Sequence, residues 1–389
     1  MINILILLRA VVDLFWELKL LSILFAIVVV SAILLALYKR IKKRGVKHKA
    51  SILDALVLLL YLSVTLSYFI NIEPETTILY GKIAIGMTGY LIARLSPMSY
   101  PVKSKLLMVG AYLLLAYLLA ISFMDIGYKT WGNAYTFVGG YFFKTDLAIA
   151  VTVAFSICYF ATRNNMLKLL VFSICLYLIY ISNSRVFLLV VLMAPAVDFY
   201  IKKSSKLDIA RSLRLGLAII LPAIIALYIF DSLSDSEMLG FKISEGYTDR
   251  NLQGRNMLWE ILFLTFQHYP VVQKLLGGGL DSDTISLLAY SQDGYGAHNT
   301  FLYILISCGL LGISLVSAVL YFGVKHALRI AAYDLGFCKF CLFIIVAWMI
   351  SGLSNDTIKY LQFSFFFWVV LALAENKYQE IKLAIRHAK

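Results

Sequence analysis

Charge is scarce in this chain of 389 residues: 15% are Asp, Glu, Lys or Arg, against 61% that are apolar. Soluble domains are about half apolar and about one quarter charged, so an ordinary soluble core is excluded for most of the length. With a mean hydropathy of +0.84 and apolar runs recurring from end to end, the composition calls for membrane spans. It reads as one membrane domain over 1–389 with no soluble domain beside it. No cleavable signal peptide is recognisable either. Arg9, Asp13 and Glu17 interrupt the first apolar residues, and no small-residue cleavage site follows. The five cysteines, Cys158, Cys175, Cys308, Cys338 and Cys341, all fall within or at the ends of apolar runs. Cys338 and Cys341 form a CxxC without a second pair or a nearby histidine, so they read as buried thiols and not as a zinc site. A P-loop and a dinucleotide fingerprint are both lacking.

What is present is a succession of apolar segments, at 20–38, 52–70, 78–95, 106–124, 147–161, 169–182, 186–200, 215–230, 298–324, 340–354 and 359–374. Segment 2–18 is open. Arg9, Asp13 and Glu17, four apart, either pair within a twelfth span or mark an amphipathic helix at the interface; the span is preferred. The expected fold is therefore all-α and polytopic, with about 11–12 transmembrane helices.

Orientation follows from the basic residues. The net charge of +13 reflects topology and not nucleic-acid binding, because the cations sit in short loops between spans. Placing "KRIKKRGVKHK" in the cytoplasm puts "PVKSK", "TRNNMLK", "IKKSSKLDIARSLR", "KHALRIAAYDLGFCK" and the tail "ENKYQEIKLAIRHAK" there too, with most of the lysine and arginine. Both termini are then cytoplasmic. The other side receives a moderate loop, 125–146, and a long acidic one, 231–297. Within the latter, "GRNMLWEILFLTFQHYPVVQKLLGGGL" reads as an amphipathic or re-entrant helix stopped by Pro270 and a glycine run. A loop of this length with an ordered apolar piece is more often functional than a linker, and it is expected to fold back over the membrane domain.

Three residues approach the outer boundary from separate parts of the chain: Arg185 in "ISNSRVFLLV", Arg255, and His298 at the far end of the long loop. Arginine at membrane depth costs about 2.5–3.5 kcal/mol on insertion scales, so it needs a partner or a cavity. Its planar fork suits a phosphate. Plainer readings stand beside these: Arg185 snorkelling from a helix end, Arg255 solvated and paired with Glu260 or Asp249, His298 capping a helix at the interface. "DSD", from Asp281 to Asp283, matches an Asp-x-Asp motif, but in this acidic loop it reads as a solvated turn and not as a metal site.

The order of "SNSRVFLLV", "GRNMLWEILFLTFQHYPVVQKLLGGGL" and "GAHNTFLYILISCGLLG" resembles the signature region of the O-antigen polymerase and O-antigen ligase superfamily. The resemblance covers about 180–315. Tyr269 separates His268 from Pro270, a departure that leaves His268 without an assigned role. The resemblance implies a GT-C-like membrane glycosyltransferase of the bacterial inner membrane, with no cofactor and no metal. It would take a glycan from a polyprenyl diphosphate to a sugar hydroxyl with inversion. The implied catalytic residues are His298, with a near-neutral pKa suited to proton transfer, and Arg185 and Arg255 at the diphosphate. Arg250, Asn299, Trp259 and Tyr295 are the expected substrate-binding residues, with Tyr247 a further stacking candidate. The implied activity is polymerisation of lipid-linked repeats into O-antigen, capsule or exopolysaccharide. A ligase that moves glycan to lipid A core, and a flippase for the same lipid-linked unit, are the alternatives. Expected partners are the lipid-linked donor and acceptor, membrane lipids and a chain-length regulator, with no nucleic acid.

Overall fold

The computed structural model describes residues 2–15, 17–42, 50–96, 101–131, 134–201, 255–289 and 296–387. The span expected at 215–230, and Arg250, Tyr247 and Tyr295, lie outside the described residues. Among the described residues the helices are α1 (Ile2–Leu14), α2 (Lys19–Lys42), α3 (Ile52–Ile70), α4 (Pro74–Leu95), α5 (Lys105–Phe123), α6 (Lys144–Ala161), α7 (Asn165–Ile181) and α8 (Arg185–Tyr200). After the gap come α9 (Arg255–His268), α10 (Val271–Leu276), α11 (Ser282–Leu288), α12 (Thr300–Ile330), α13 (Leu335–Gly352) and α14 (Leu361–His387).

The polar residues that punctuate the apolar runs are helix caps. Ser51 and Asp54 form a capping box at α3, and Ser104, Asn164 and Asp334 accept backbone N–H groups at the starts of α5, α7 and α13. Six helices, α3, α4, α5, α6, α12 and α13, are long and apolar enough to cross a membrane, and Leu20–Leu35 and Asn165–Ile181 are shorter apolar helices. The fold is the all-α polytopic one expected from sequence. Its surface is apolar where a soluble protein's would be polar: Leu58, Leu59, Leu62 and Leu66 on α3, and Val109 and Leu113 on α5, are all exposed. In a bilayer such a surface meets lipid tails without penalty.

The core lies around α6, α13 and α14. From Phe363 to Asn376 every residue of α14 is buried, with Phe367 stacked on Trp348 and edge-on to Trp368. α4 packs on it closely at Gly89, where a Cβ would come within 2.8 Å of the Phe365 carbonyl.

One expectation about the spans needs correction. α1 has 13 residues, about 20 Å at 1.5 Å per residue, short of a hydrocarbon core of about 30 Å. Arg9 does pair with Asp13, but the helix stops at Leu14 and Glu17 is exposed beyond it. α14 continues through the "ENKYQEIKLAIRHAK" segment as far as His387 and buries Glu375 and Asn376. The 125–146 loop holds a small antiparallel hairpin, β1 (Tyr128–Trp131) with β2 (Ala134–Phe137), Tyr128 facing Phe137 and Trp131 facing Ala134.

The apolar middle of the long loop does fold back. α9 ends before Pro270, α10 follows, and the chain then turns at Gly277 (φ +88°) against a break in α12 at Gly309 (φ +67°). The break frees the Ile306 and Ser307 carbonyls, which accept the Gly278 and Gly279 N–H groups at 2.9 and 3.3 Å. A Cβ on Gly277 would stand 2.1 Å from the Ser307 oxygen, and one on Gly309 would stand 2.4 Å from the Leu275 oxygen. "LLGGGL" and "CGLLG" are thus two halves of one backbone contact, possible only without side chains.

Candidate active site

Chain direction brings several polar turns to one end of the bundle. α7 ends and α8 begins there, α12 begins there, and α13 returns to it before the 353–360 turn leads into α14. Ser184 Oγ reaches the Lys144 carbonyl at 3.3 Å, which fastens the start of α8 to that of α6. Thr300 Oγ1 meets Asn355 O and Thr357 Oγ1, both at 2.9 Å, and fastens α12 to the 353–360 turn. α9 joins the group through Trp259, whose indole N–H donates to Ala297 O at 2.9 Å, and through Arg255, which donates to Ser354 O at 2.8 Å.

His298 sits in the middle of these ties with φ +47°. A non-glycine residue in that region costs about 1–3 kcal/mol and persists only where the surroundings impose it. Here both flanking amides are held by acidic side chains. Ala297 N donates to Asp283 Oδ2 at 2.9 Å and Asn299 N donates to Asp356 Oδ1 at 3.0 Å. Lys359 joins the two carboxylates at 3.1 and 3.4 Å and lies 4.1 Å over the Tyr303 ring. Burial opposes its charge, yet Asp283 and Asp356 hold its ammonium above the ordinary lysine range. Asp283 is completely buried, so the solvated-turn reading of "DSD" is wrong for this residue: its carboxylate is taken up by Ala297 N and Lys359 inside the fold.

The electrostatics of the imidazole follow. Burial lowers the His298 pKa, Arg255 and Lys359 push it the same way, and Asp356 and Asp283 oppose them. The ring is therefore neutral near pH 7 and able to take a proton. Asn299 caps α12: its Oδ1 accepts from Phe301 N and Leu302 N, at 3.0 and 3.1 Å, and its Nδ2 donates to Leu353 O at 3.1 Å.

Residues 170–317 match the family described as O-antigen ligase. That match supports the resemblance of this segment to the O-antigen polymerase and ligase superfamily. Arg185, Arg255, Trp259, His298 and Asn299 all fall inside it. No curated protein matches the chain.

Arg185 and Arg255 of the matched segment are close enough to repel one another, and Lys144 feels both. Arg255 in turn acts on His298. Three cations and a neutral imidazole thus form one electrostatic neighbourhood, assembled from α6, α8, α9 and the start of α12. Among the described residues none of the three cations has a carboxylate partner. Arg255 is not paired with Glu260, which is exposed, and Asp249 lies outside the described residues; Arg255 donates to the neutral Ser354 carbonyl. Such a group is suited to an anion with more than one charge, since like charges held together in a half-buried place favour a counter-ion.

Sequence reading missed Lys144, Asp283, Asp356 and Lys359. One signal was available for the lysines. Positive charge is sparse on the side opposite the basic loops, so Lys144 in "FFKTD" and Lys359 in "SNDTIKY" stand out there. Nothing in the sequence pairs Asp283 with Lys359, 76 positions apart.

Proposed function

We propose that this chain is a glycosyltransferase that polymerises polyprenyl-diphosphate-linked oligosaccharide repeats into a surface polysaccharide. The observation that carries this reading is that Arg255 is within electrostatic reach of both Arg185 and His298, three residues from separate segments. The superfamily match supports glycosyl transfer from a lipid-linked oligosaccharide. The site end faces the extracytoplasmic side in this reading, both termini face the cytoplasm, and the membrane is the bacterial inner membrane.

In the reaction, Arg185 and Arg255, with Lys144 beside them, hold the diphosphate. The acceptor hydroxyl oxygen attacks the anomeric carbon as the bond to the diphosphate oxygen breaks on the opposite face. The electron pair leaves with the lipid diphosphate, whose growing charge the cations stabilise. The hydroxyl proton passes to neutral His298. Trp259, Asn299, Arg250 and Tyr295 remain candidates for sugar contacts; Asn299 and Trp259 spend their polar atoms on the turn, so their part is to hold it.

The test is incubation of the purified full-length protein with lipid-linked repeats alone. A ladder of longer products is expected, and His298→Ala is expected to lose about 10²–10⁴-fold in rate with an unchanged melting temperature. An unchanged ladder from that variant removes the histidine from the chemistry. A wild-type protein that acts only when lipid A core is added is a ligase, the second reading, favoured by the description of the matching family. A flippase is disfavoured because the unpaired cations beside His298 gather at one end instead of lining a route through both leaflets.

A further inference from the structure

At the far end of α12, more than 20 residues from His298, a second group of cations shares one cavity. The cavity has a volume of about 550 Å³ and is walled by Ser51 and Ile52 at the start of α3, by Phe322, Lys325, His326 and Arg329 on α12, and by Tyr378, Lys382 and Arg386 on α14. Lys325 and Arg329 lie four apart on one helix, and Lys382 and Arg386 lie four apart on the other. This spacing puts each pair on a single helix face, and all four residues line the cavity.

Several other cations at this end are neutralised locally. Arg94 pairs with Asp54, Lys168 and Lys339 share Asp198, and Lys103 pairs with Asp334. Of the acids on α14, Glu375 is fully buried and already engaged with His326 and Gln379, and Glu380 pairs with Lys377. Among the described residues none of the four cavity cations forms an ion pair. Two of them are instead fixed by aromatic rings. Arg329 donates to Tyr378 Oη at 2.6 Å and lies 5.5 Å over that ring, and Lys325 lies 5.2 Å over Phe322. An aromatic ring orients a cation without cancelling its charge, which leaves the charge available to a ligand.

We infer that this cavity binds the phosphate-bearing headgroup of an anionic membrane phospholipid, at the end of the bundle opposite the catalytic group. The location argues for a lipid over a free ion. Ile52, Phe322 and Leu383 edge the cations with apolar surface, and the exposed leucines of α3 continue from there along the lipid-facing side of the bundle. A headgroup in the cavity can therefore keep its acyl chains in the bilayer. Two cation pairs around one space suit a headgroup with two phosphates better than one with a single phosphate. The inference is independent of which sugar-transfer reaction the other end performs.

The test uses the full-length protein in phosphatidylcholine nanodiscs with cardiolipin as the probe, and measures retained cardiolipin by native mass spectrometry. Lys325→Gln with Arg329→Gln, and separately Lys382→Gln with Arg386→Gln, are each expected to weaken cardiolipin binding about thirtyfold, the effect of two cations at an anionic lipid surface. The control is Lys105→Gln with Arg163→Gln, which removes two exposed charges at the same end outside the cavity and should change binding little. Equal retention by all variants overturns the inference, and so does an equal loss in the control. Displacement of cardiolipin by millimolar inorganic phosphate would make the cavity a site for the free ion and also overturns it. The substituted side chains are exposed or half-buried, so unchanged melting temperatures are expected.

Discussion

At the end where α12 begins, positive charge is handled in two opposite ways a short distance apart. Lys359 is enclosed, sits on an aromatic ring and is neutralised by Asp283 and Asp356. Lys144, Arg185 and Arg255 are half-buried, repel one another, and among the described residues form no ion pair. The first arrangement completes itself: both carboxylates also hold backbone amides, so the lysine stabilises the turn that presents His298. The second is incomplete until an anion arrives. Charge at a membrane boundary therefore has to be sorted by its partners before it is read as functional.

The largest effect that sharpens this contrast is expected at the paired lysine. Lys359→Met leaves two carboxylates without their cation, one of them fully buried, and should cost about 3 kcal/mol of stability. A scanning-fluorimetry melting curve that does not move would show that the three-residue network holds nothing together. For the unpaired cations the expectation is reversed. Arg185→Gln should lower turnover by about 10²–10³-fold, the range for removal of one transition-state charge partner, while the melting temperature holds or rises as repulsion with Arg255 is relieved. Lower stability with normal turnover would exchange the roles of the two groups.

A smaller effect lies in the pH profile of kcat/KM. His298 acts as a base only when neutral, so activity should fall as pH drops through its depressed pKa. Arg255→Gln removes a charge that lowers this pKa, and the acid limb should move to higher pH; Asp356→Asn removes one that raises it, and the limb should move lower. Shifts in the same direction, or none, would disconnect the imidazole from the limb.

The glycine-bearing motifs show where sequence reasoning stops. "LLGGGL" and "CGLLG" were legible as a stop signal and as part of a span, and the helix before Pro270 was legible from its apolar pattern. Their mutual contact was not, because it is made by backbone atoms, Gly278 N to Ile306 O and Gly279 N to Ser307 O, which no side-chain periodicity reports. The candidate site divides similarly. Arg185, Arg255 and His298 were visible as polar residues at apolar borders. Asp283, Asp356 and Lys359 looked like ordinary turn residues, since what distinguishes them is burial.

The sequence by itself determined the bilayer as solvent and the predominantly helical architecture, because these depend on local composition and on 3.6-residue periodicity. Only the tertiary structure decided which charges are neutralised and which are left unpaired. A pair such as Asp283 with Lys359 is made by two helices docking across 76 positions of chain, and the strength of such a contact depends on its distance and on the water excluded around it.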